Sequence, residues 1–157
     1  MSTYDPVEDI ASKIQTDGFG TLGTDLFKGP VRAERTAAPA IPRVAVFVSA
    51  PTGGAAPFGV AGNTSRYRSP VIQIRTRHSV QSTGRSVAQQ IYDGLAPGAL
   101  TDYINVDMNE SGPLFIGQNE NGAYEWSLNV TCLYDATMEF VAVTFFNPVL
   151  LMYFLDD

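Results

Sequence analysis

The side chains able to do chemistry in this chain are few and scattered. There is one histidine, His78, and one cysteine, Cys132, in 157 residues. A serine hydrolase would set His78 beside a serine and a carboxylate, but no Gly-x-Ser-x-Gly elbow occurs. A lone histidine and a lone cysteine, far apart in sequence, have no recognised zinc spacing. Asp102, Asp107 and Glu110 cluster around a short strand pattern. Such carboxylates can bind magnesium or serve as acid and base, although a surface turn accounts for them more simply. Gly53-Gly54 is not followed by Gly-Lys-Ser/Thr, so no phosphate cradle is read there. Cys132 falls on the apolar side of a long strand pattern and reads as a core thiol. The expectation is a chain with no catalytic residues, no cofactor and no metal. A small hydrolase using His78 or the carboxylates around Asp107 is the alternative from a different class.

The elements that would position these residues centre on Tyr67 to Leu95. Ile72, Ile74 and Thr76 alternate with Gln73, Arg75 and Arg77, the period of a half-buried strand. After Ser79 the period lengthens: Val80, Gly84, Val87, Ile91 and Leu95 recur at three and four, which predicts an amphipathic helix. Ser79 or Ser82 is expected to cap its start, and Gly94 with Pro97-Gly98 to stop it. A second helix is predicted from Asp5 to Ile14, with Asp5 as cap, Pro6 in the first turn and Glu8 at capping-box spacing.

Several strands are expected around these helices. Leu26 and Phe27 begin a peripheral one, because Pro30 cannot donate within a ladder. Arg43 to Ser49 is apolar on both faces, with Val44, Val46 and Val48 on one and Ala45 and Phe47 on the other, so it reads as central. Tyr103 to Met108 places Ile104, Val106 and Met108 on one face. Leu114 to Ile116 begins another strand, and Asn121-Gly122 is a strong hairpin turn. Tyr124 to Tyr134 alternates without fault, from Tyr124, Trp126 and Leu128 through Val130 and Cys132 to Tyr134 on one side. These elements predict an α+β domain over residues 1–135: a mixed, mainly antiparallel β-sheet with two helices packed on it and a long β-hairpin. An apolar C-terminal extension over 136–157 follows it.

Two stretches resist this reading. Ala50 to Pro70 is long and Gly-rich, and connections of this length often carry function. Phe58 and Val60 at its tip either fold back on the core or dock on a neighbour, and Arg66 and Arg68 sit at its end. The last run, MEFVAVTFFNPVLLMYFL, includes Phe140, Phe145 and Phe146 and is almost wholly apolar. A free tail of this kind would aggregate. It must be buried against a partner or neighbouring subunit, in its own fold, or in a membrane. Glu139 and the Asn147-Pro148 break weaken the membrane reading.

The formal net charge of −6 excludes a general duplex binder, which needs a basic surface. One cysteine precludes an intrachain disulfide and suits a reducing compartment. No basic segment followed by an apolar core opens the chain, so no secretory signal is read.

The order of helix, strands, helix and hairpin resembles the tail terminator or tail completion proteins of long-tailed bacteriophages, often called minor capsid proteins. Three places carry the resemblance. They are the helix from Asp5 to Ile14, the strand and helix from Val71 to Leu95 closing on Ile91-Tyr92-Asp93-Gly94-Leu95, and the region from Tyr103-Ile104-Asn105-Val106 through Gly112-Pro113-Leu114-Phe115-Ile116-Gly117 to the Tyr124-Glu125-Trp126 strand. The apolar tail after Ala136 departs from the pattern. The resemblance implies a virion protein of the tail or neck, assembled in the host cytoplasm. It implies a homo-oligomeric ring, typically a homohexamer, that closes the tail tube and joins it to the head connector or stopper protein. DNA would pass through the lumen without sequence-specific binding. The expected contacts are Phe58, Val60, Arg66, Arg68, Phe140, Phe145 and Phe146. The expected lumen charges are Asp102, Asp107, Glu110, Glu120 and Glu125, since an acidic lumen repels the DNA backbone. A head-tail connector or stopper protein of the same particle is the alternative within this class.

Overall fold

The computed structural model describes residues 5–30, 44–52, 67–95 and 97–135. Helix α1 spans Pro6–Thr16 and starts where capping chemistry places it: the Asp5 carboxylate accepts from the N–H groups of Val7 and Glu8. Ile10, Ala11 and Ile14 form its buried stripe. Strands β1 (Leu26–Lys28) and β2 (Ala45–Thr52) run parallel, and β2 pairs antiparallel with β4 (Val71–His78). Strand β7 (Tyr124–Asp135) pairs antiparallel with the whole of β4, from Val71 opposite Thr131 to His78 opposite Tyr124. The short β3 (Tyr67–Arg68) pairs with Asp135 and Tyr134 in the same register, and the Pro70 carbonyl accepts from the Cys132 N–H. Strands β3 and β4 therefore form one ladder, interrupted at Pro70 because proline has no N–H to give.

The other edge of β7 carries β5 (Asn105–Met108) and β6 (Leu114–Gln118), both antiparallel to it. Strand β6 joins β7 through the Asn121-Gly122 turn. Asn119 Oδ1 accepts from the N–H groups of Asn121 and Ala123, and Gly122 takes φ 80°, a left-handed conformation glycine adopts without a Cβ clash. The result is the expected mixed, mostly antiparallel sheet with two helices on it.

Both helices pack on one face. Ile72 and Ile74 of β4, Leu128, Val130 and Cys132 of β7, and Val46 and Val48 of β2 meet the α1 stripe there, together with Ile91 of helix α2 (Gln81–Gly94) and Leu95 behind it. The close approach of α2 to β7 requires Gly84. A Cβ there would lie 2.3 Å from Cζ3 of Trp126 and 2.7 Å from Cβ of His78. The other face of β2 is apolar too, as its pattern predicts: Ala45 and Phe47 are buried with Phe27, whose ring stacks on Phe47 at 5.5 Å.

Two local expectations change. Neither Ser79 nor Ser82 caps α2. Val80 occupies the cap position, half exposed instead of joining the apolar stripe, and the Val80 N–H donates to His78 Nδ1 at 2.9 Å. Ser79 precedes the cap position and Ser82 lies inside the helix, so neither serine is placed to cap it. Around Tyr103 the alternation fails: β5 spans only Asn105–Met108, although the Ile104 N–H already donates to the Leu133 carbonyl. Tyr103 turns into the core and its hydroxyl donates to Asp9, tying β5 to α1, while Ile104 faces solvent.

Candidate functional site

The sheet face without helices carries most of the charge the sequence singled out. Arg75 and Arg77 project from β4 toward Glu125 on β7. Arg75 Nη2 donates to Glu125 Oε2 at 2.8 Å, and Arg77 Nε donates to Glu125 Oε1 at 3.0 Å. Arg77 is buried, and its guanidinium lies 5.2 Å above the Phe47 ring, a cation–π geometry. Farther along the same face, Glu110 accepts from both the backbone N–H and the side-chain amide of Asn129. The Thr131 hydroxyl donates to Asn109 Oδ1. These bonds fasten the loop after β5 to the long strand.

The five acidic residues expected to line a lumen thus occupy four settings. Glu110 and Glu125 are engaged within the chain, and Asp107 is exposed on the same helix-free face, where it accepts from the Asn105 amide. Glu120 is exposed at the tip of the β6–β7 turn, and Asp102 is exposed in the connection beside α1. Of the expected contact residues, Arg68 is exposed on β3. Phe58, Val60, Arg66, Phe140, Phe145 and Phe146 lie outside the described residues.

The hydrolase alternative gains no geometry. His78 Nδ1 is taken by the Val80 N–H, and among the described residues no three His, Cys, Asp or Glu side chains are grouped to hold a metal. Burial, with the nearby Asp9 charge, pushes the Cys132 thiol up to about 12, so it stays protonated and unreactive at neutral pH. No described helix is long and apolar enough to cross a membrane.

Two features escaped sequence reasoning. The first is the exposure of β6. Leu114, Phe115 and Ile116 are 47%, 51% and 52% exposed on a strand that pairs, among the described residues, only with β7. Three consecutive apolar residues on one strand cannot all face a core, and that was the available signal. The second is a half-open cavity of about 470 Å³ at the opposite side of the sheet. The turn after α1, the start of β2, the end of β4 and the first turn of α2 enclose it. Phe19, Val44 and Val87 line its apolar part, and Gln15, Asp25 and His78 its polar part. An exposed apolar edge of this kind is a surface on which proteins assemble.

No curated protein matches the chain. The family model for the bacteriophage tail terminator protein matches residues 13–136, a span from the middle of α1 to the end of β7. By this match over most of its length the chain belongs to the bacteriophage tail terminator family.

Proposed function

We propose that six copies of this chain form a ring that closes the finished tail tube and joins it to the head connector, with DNA passing through the lumen. Membership of the family makes the chain a structural, tail-associated protein of the phage particle. The exposed apolar run on β6 carries the reading further. A lone monomer gains nothing from three half-exposed apolar residues on an open strand edge, whereas an assembly buries them. A ring is a closed set of heterologous contacts, so each copy needs two different surfaces.

The exposed Asp102, Asp107 and Glu120 are the carboxylates of the proposed set that remain available to face DNA. With a chain charge of −6, a lumen lined by them would repel the phosphate backbone and let the genome slide without sticking. The tube protein on one side and the connector or stopper protein on the other are the proposed partners. Arg68 and the segments holding Phe58, Val60, Arg66 and the 136–157 tail are proposed to contact them or neighbouring copies. Assembly would take place in the host cytoplasm.

Light scattering over a range of concentrations tests the ring, with the full chain and with the tail after Ala136 removed. The expected mass is six times the 17.0 kDa subunit. Loss of that mass on truncation makes the tail a contact between copies. A full chain that stays monomeric and also fails to bind purified tail tubes refutes the reading.

A further inference from the structure

The hairpin tip between β6 and β7 holds a reactive pair of residues. Asn121 is the only asparagine in the chain followed by glycine. Asparagine is a chemically labile side chain, and the group that attacks it is the backbone nitrogen of the next residue. That nitrogen, once it gives its proton to solvent base, adds to the side-chain carbonyl carbon Cγ. A five-membered succinimide forms, the Cγ–Nδ2 bond breaks, and ammonia leaves with a proton taken from water. Water then opens the ring at either of its two carbonyls. One opening gives aspartate, and the other gives isoaspartate, whose main chain runs through Cβ. The balance is one water in and one ammonia out, with no oxidant. A following glycine favours the attack because no Cβ crowds the nitrogen.

We propose that Asn121 is a site of spontaneous deamidation and that the hairpin sets its rate. In the folded chain the attacking nitrogen is held. The Gly122 N–H donates to the Asn119 carbonyl at 2.9 Å, the bond that closes a β-turn. Asn119 Oδ1 accepts from the N–H groups of Asn121 and Ala123 at 3.1 and 2.9 Å, so one side chain fastens both flanks of Gly122. Gln118 Nε2 donates to the Gly122 carbonyl at 2.8 Å. Ring closure requires the Gly122 nitrogen to lose its proton and swing onto Cγ, and both steps break the turn. Ala123 is fully buried behind the tip, whereas Asn121 is exposed to the water and base that the reaction consumes. The residue therefore reacts from the opened turn, at a rate set by how often the turn opens. Either product adds one negative charge beside the exposed Glu120. Isoaspartate also lengthens the main chain by one carbon, within a turn whose register is pinned by Gln118 opposite Tyr124. The site is independent of the ring reading.

Incubation of the full chain in mildly alkaline buffer, folded and in urea, followed by peptide mapping with mass spectrometry, tests the proposal. In urea Asn121 should convert faster than Asn105, Asn109 and Asn129, which precede valine, glutamate and valine. In the folded chain its conversion should slow by about tenfold or more, the factor expected when one or two hydrogen bonds must open first. Asn119→Ala removes the Oδ1 acceptor and nothing from the reacting pair. With folding verified by circular dichroism, this variant should recover most of the difference and leave the rate in urea unchanged. No preferential conversion of Asn121 in urea overturns the site. Equal wild-type rates, folded and in urea, overturn its control by the hairpin, and this comparison decides the matter even where Asn119→Ala does not fold. A folded rate that changes with protein concentration also overturns that control, because the protection would then lie in contacts between copies.

Discussion

Replacing Gly84 by alanine adds one methyl group where the structure leaves no room for it. The new Cβ would sit 2.3 Å from Cζ3 and 2.5 Å from Cη2 of Trp126, and 2.7 Å from Cβ of His78. Carbon atoms in contact prefer separations of about 3.5–4.0 Å, so something must move by more than an ångström. Trp126 cannot yield easily. It is buried, its strand is paired on both edges, and the Phe115 ring lies 5.5 Å from it. The His78 Cβ is fixed to the end of β4. Helix α2 must therefore lift from the sheet at its first turn.

Overpacking of this kind costs about 1–3 kcal/mol, and the simultaneous clash with a ring and a strand places it near the upper end. Alanine recovers about 1 kcal/mol of helix propensity over glycine. The net expectation is a loss of about 2 kcal/mol, or roughly 4–8 °C in Tm for a chain of this size. Urea unfolding followed by fluorescence measures it directly, because Trp126 is the only tryptophan. The midpoint should fall at unchanged slope. The double variant with Trp126→Phe, which lacks the two clashing ring atoms, should restore most of the loss relative to Trp126→Phe alone when both are followed by circular dichroism. A Gly84→Ala protein as stable as the wild type would refute the seating of α2 on β7.

Two further outcomes follow from the buried polar groups. Burial, then the hydrogen bond to Asp9, raises the Tyr103 hydroxyl above its ordinary 10.0, and burial with the Asp9 charge raises the Cys132 thiol from 9.0 to about 12. Both groups stay protonated in the folded chain while the unfolded chain releases its protons, so their stabilisation is complete below about pH 9 and is lost as pH climbs. The Cys132 part drains between 9.0 and about 12, at no more than about 1.4 kcal/mol per pH unit. Urea midpoints should fall from pH 9 to 11, less steeply in Cys132→Val, and a flat or rising profile would contradict the burial of both groups. Glu125→Gln leaves Arg75 and the buried Arg77 without their shared carboxylate. Removing one partner of a buried ion pair costs about 3–5 kcal/mol, and unfolding midpoints should show about 3 kcal/mol, since Arg75 retains partial solvent access. An unchanged midpoint would mean that solvent replaces the carboxylate.

What the sequence revealed is what a local rule governs. Asp5 caps α1 because its side chain reaches two N–H groups within three residues. The Asn121-Gly122 turn closes locally, because Gly122 takes a left-handed φ and its N–H donates to the Asn119 carbonyl three residues back. Strand β7 is readable because both its faces are set by the sheet, helices on one and the polar ladder on the other. Reading failed where a more distant or stronger neighbour outcompeted the local choice. Ser79 and Ser82 have the right chemistry for a cap, but the helix begins at Gln81 with Val80 in the cap position, so Ser79 stands one residue too early and Ser82 already lies inside the first turn. Tyr103 follows its bond to Asp9, 94 positions away, instead of the strand alternation. Arg77 carries no mark of burial, because its partner Glu125 is 48 residues off and its ring neighbour Phe47 lies on another strand.

The same division separates the fold from its assembly surfaces. Alternation assigns a residue to a face of a sheet, but it does not say which strands end the sheet. Leu114, Phe115 and Ile116 read as ordinary strand residues until the pairing shows β6 with an unpaired outer edge among the described residues. The cavity near Val44 is even less local, since four separate segments enclose it and Gly84 keeps one wall close. A chain that folds alone would be expected to shield an apolar edge with a charge, a proline or a covering helix. Proline and glycine stand just before β6 at Gly112-Pro113, and its first three residues remain bare. That lack of protection exposes the chain to aggregation as a monomer, and it is tolerable only where the edge is buried soon after synthesis. Assembly into the particle, proposed above, would meet that condition.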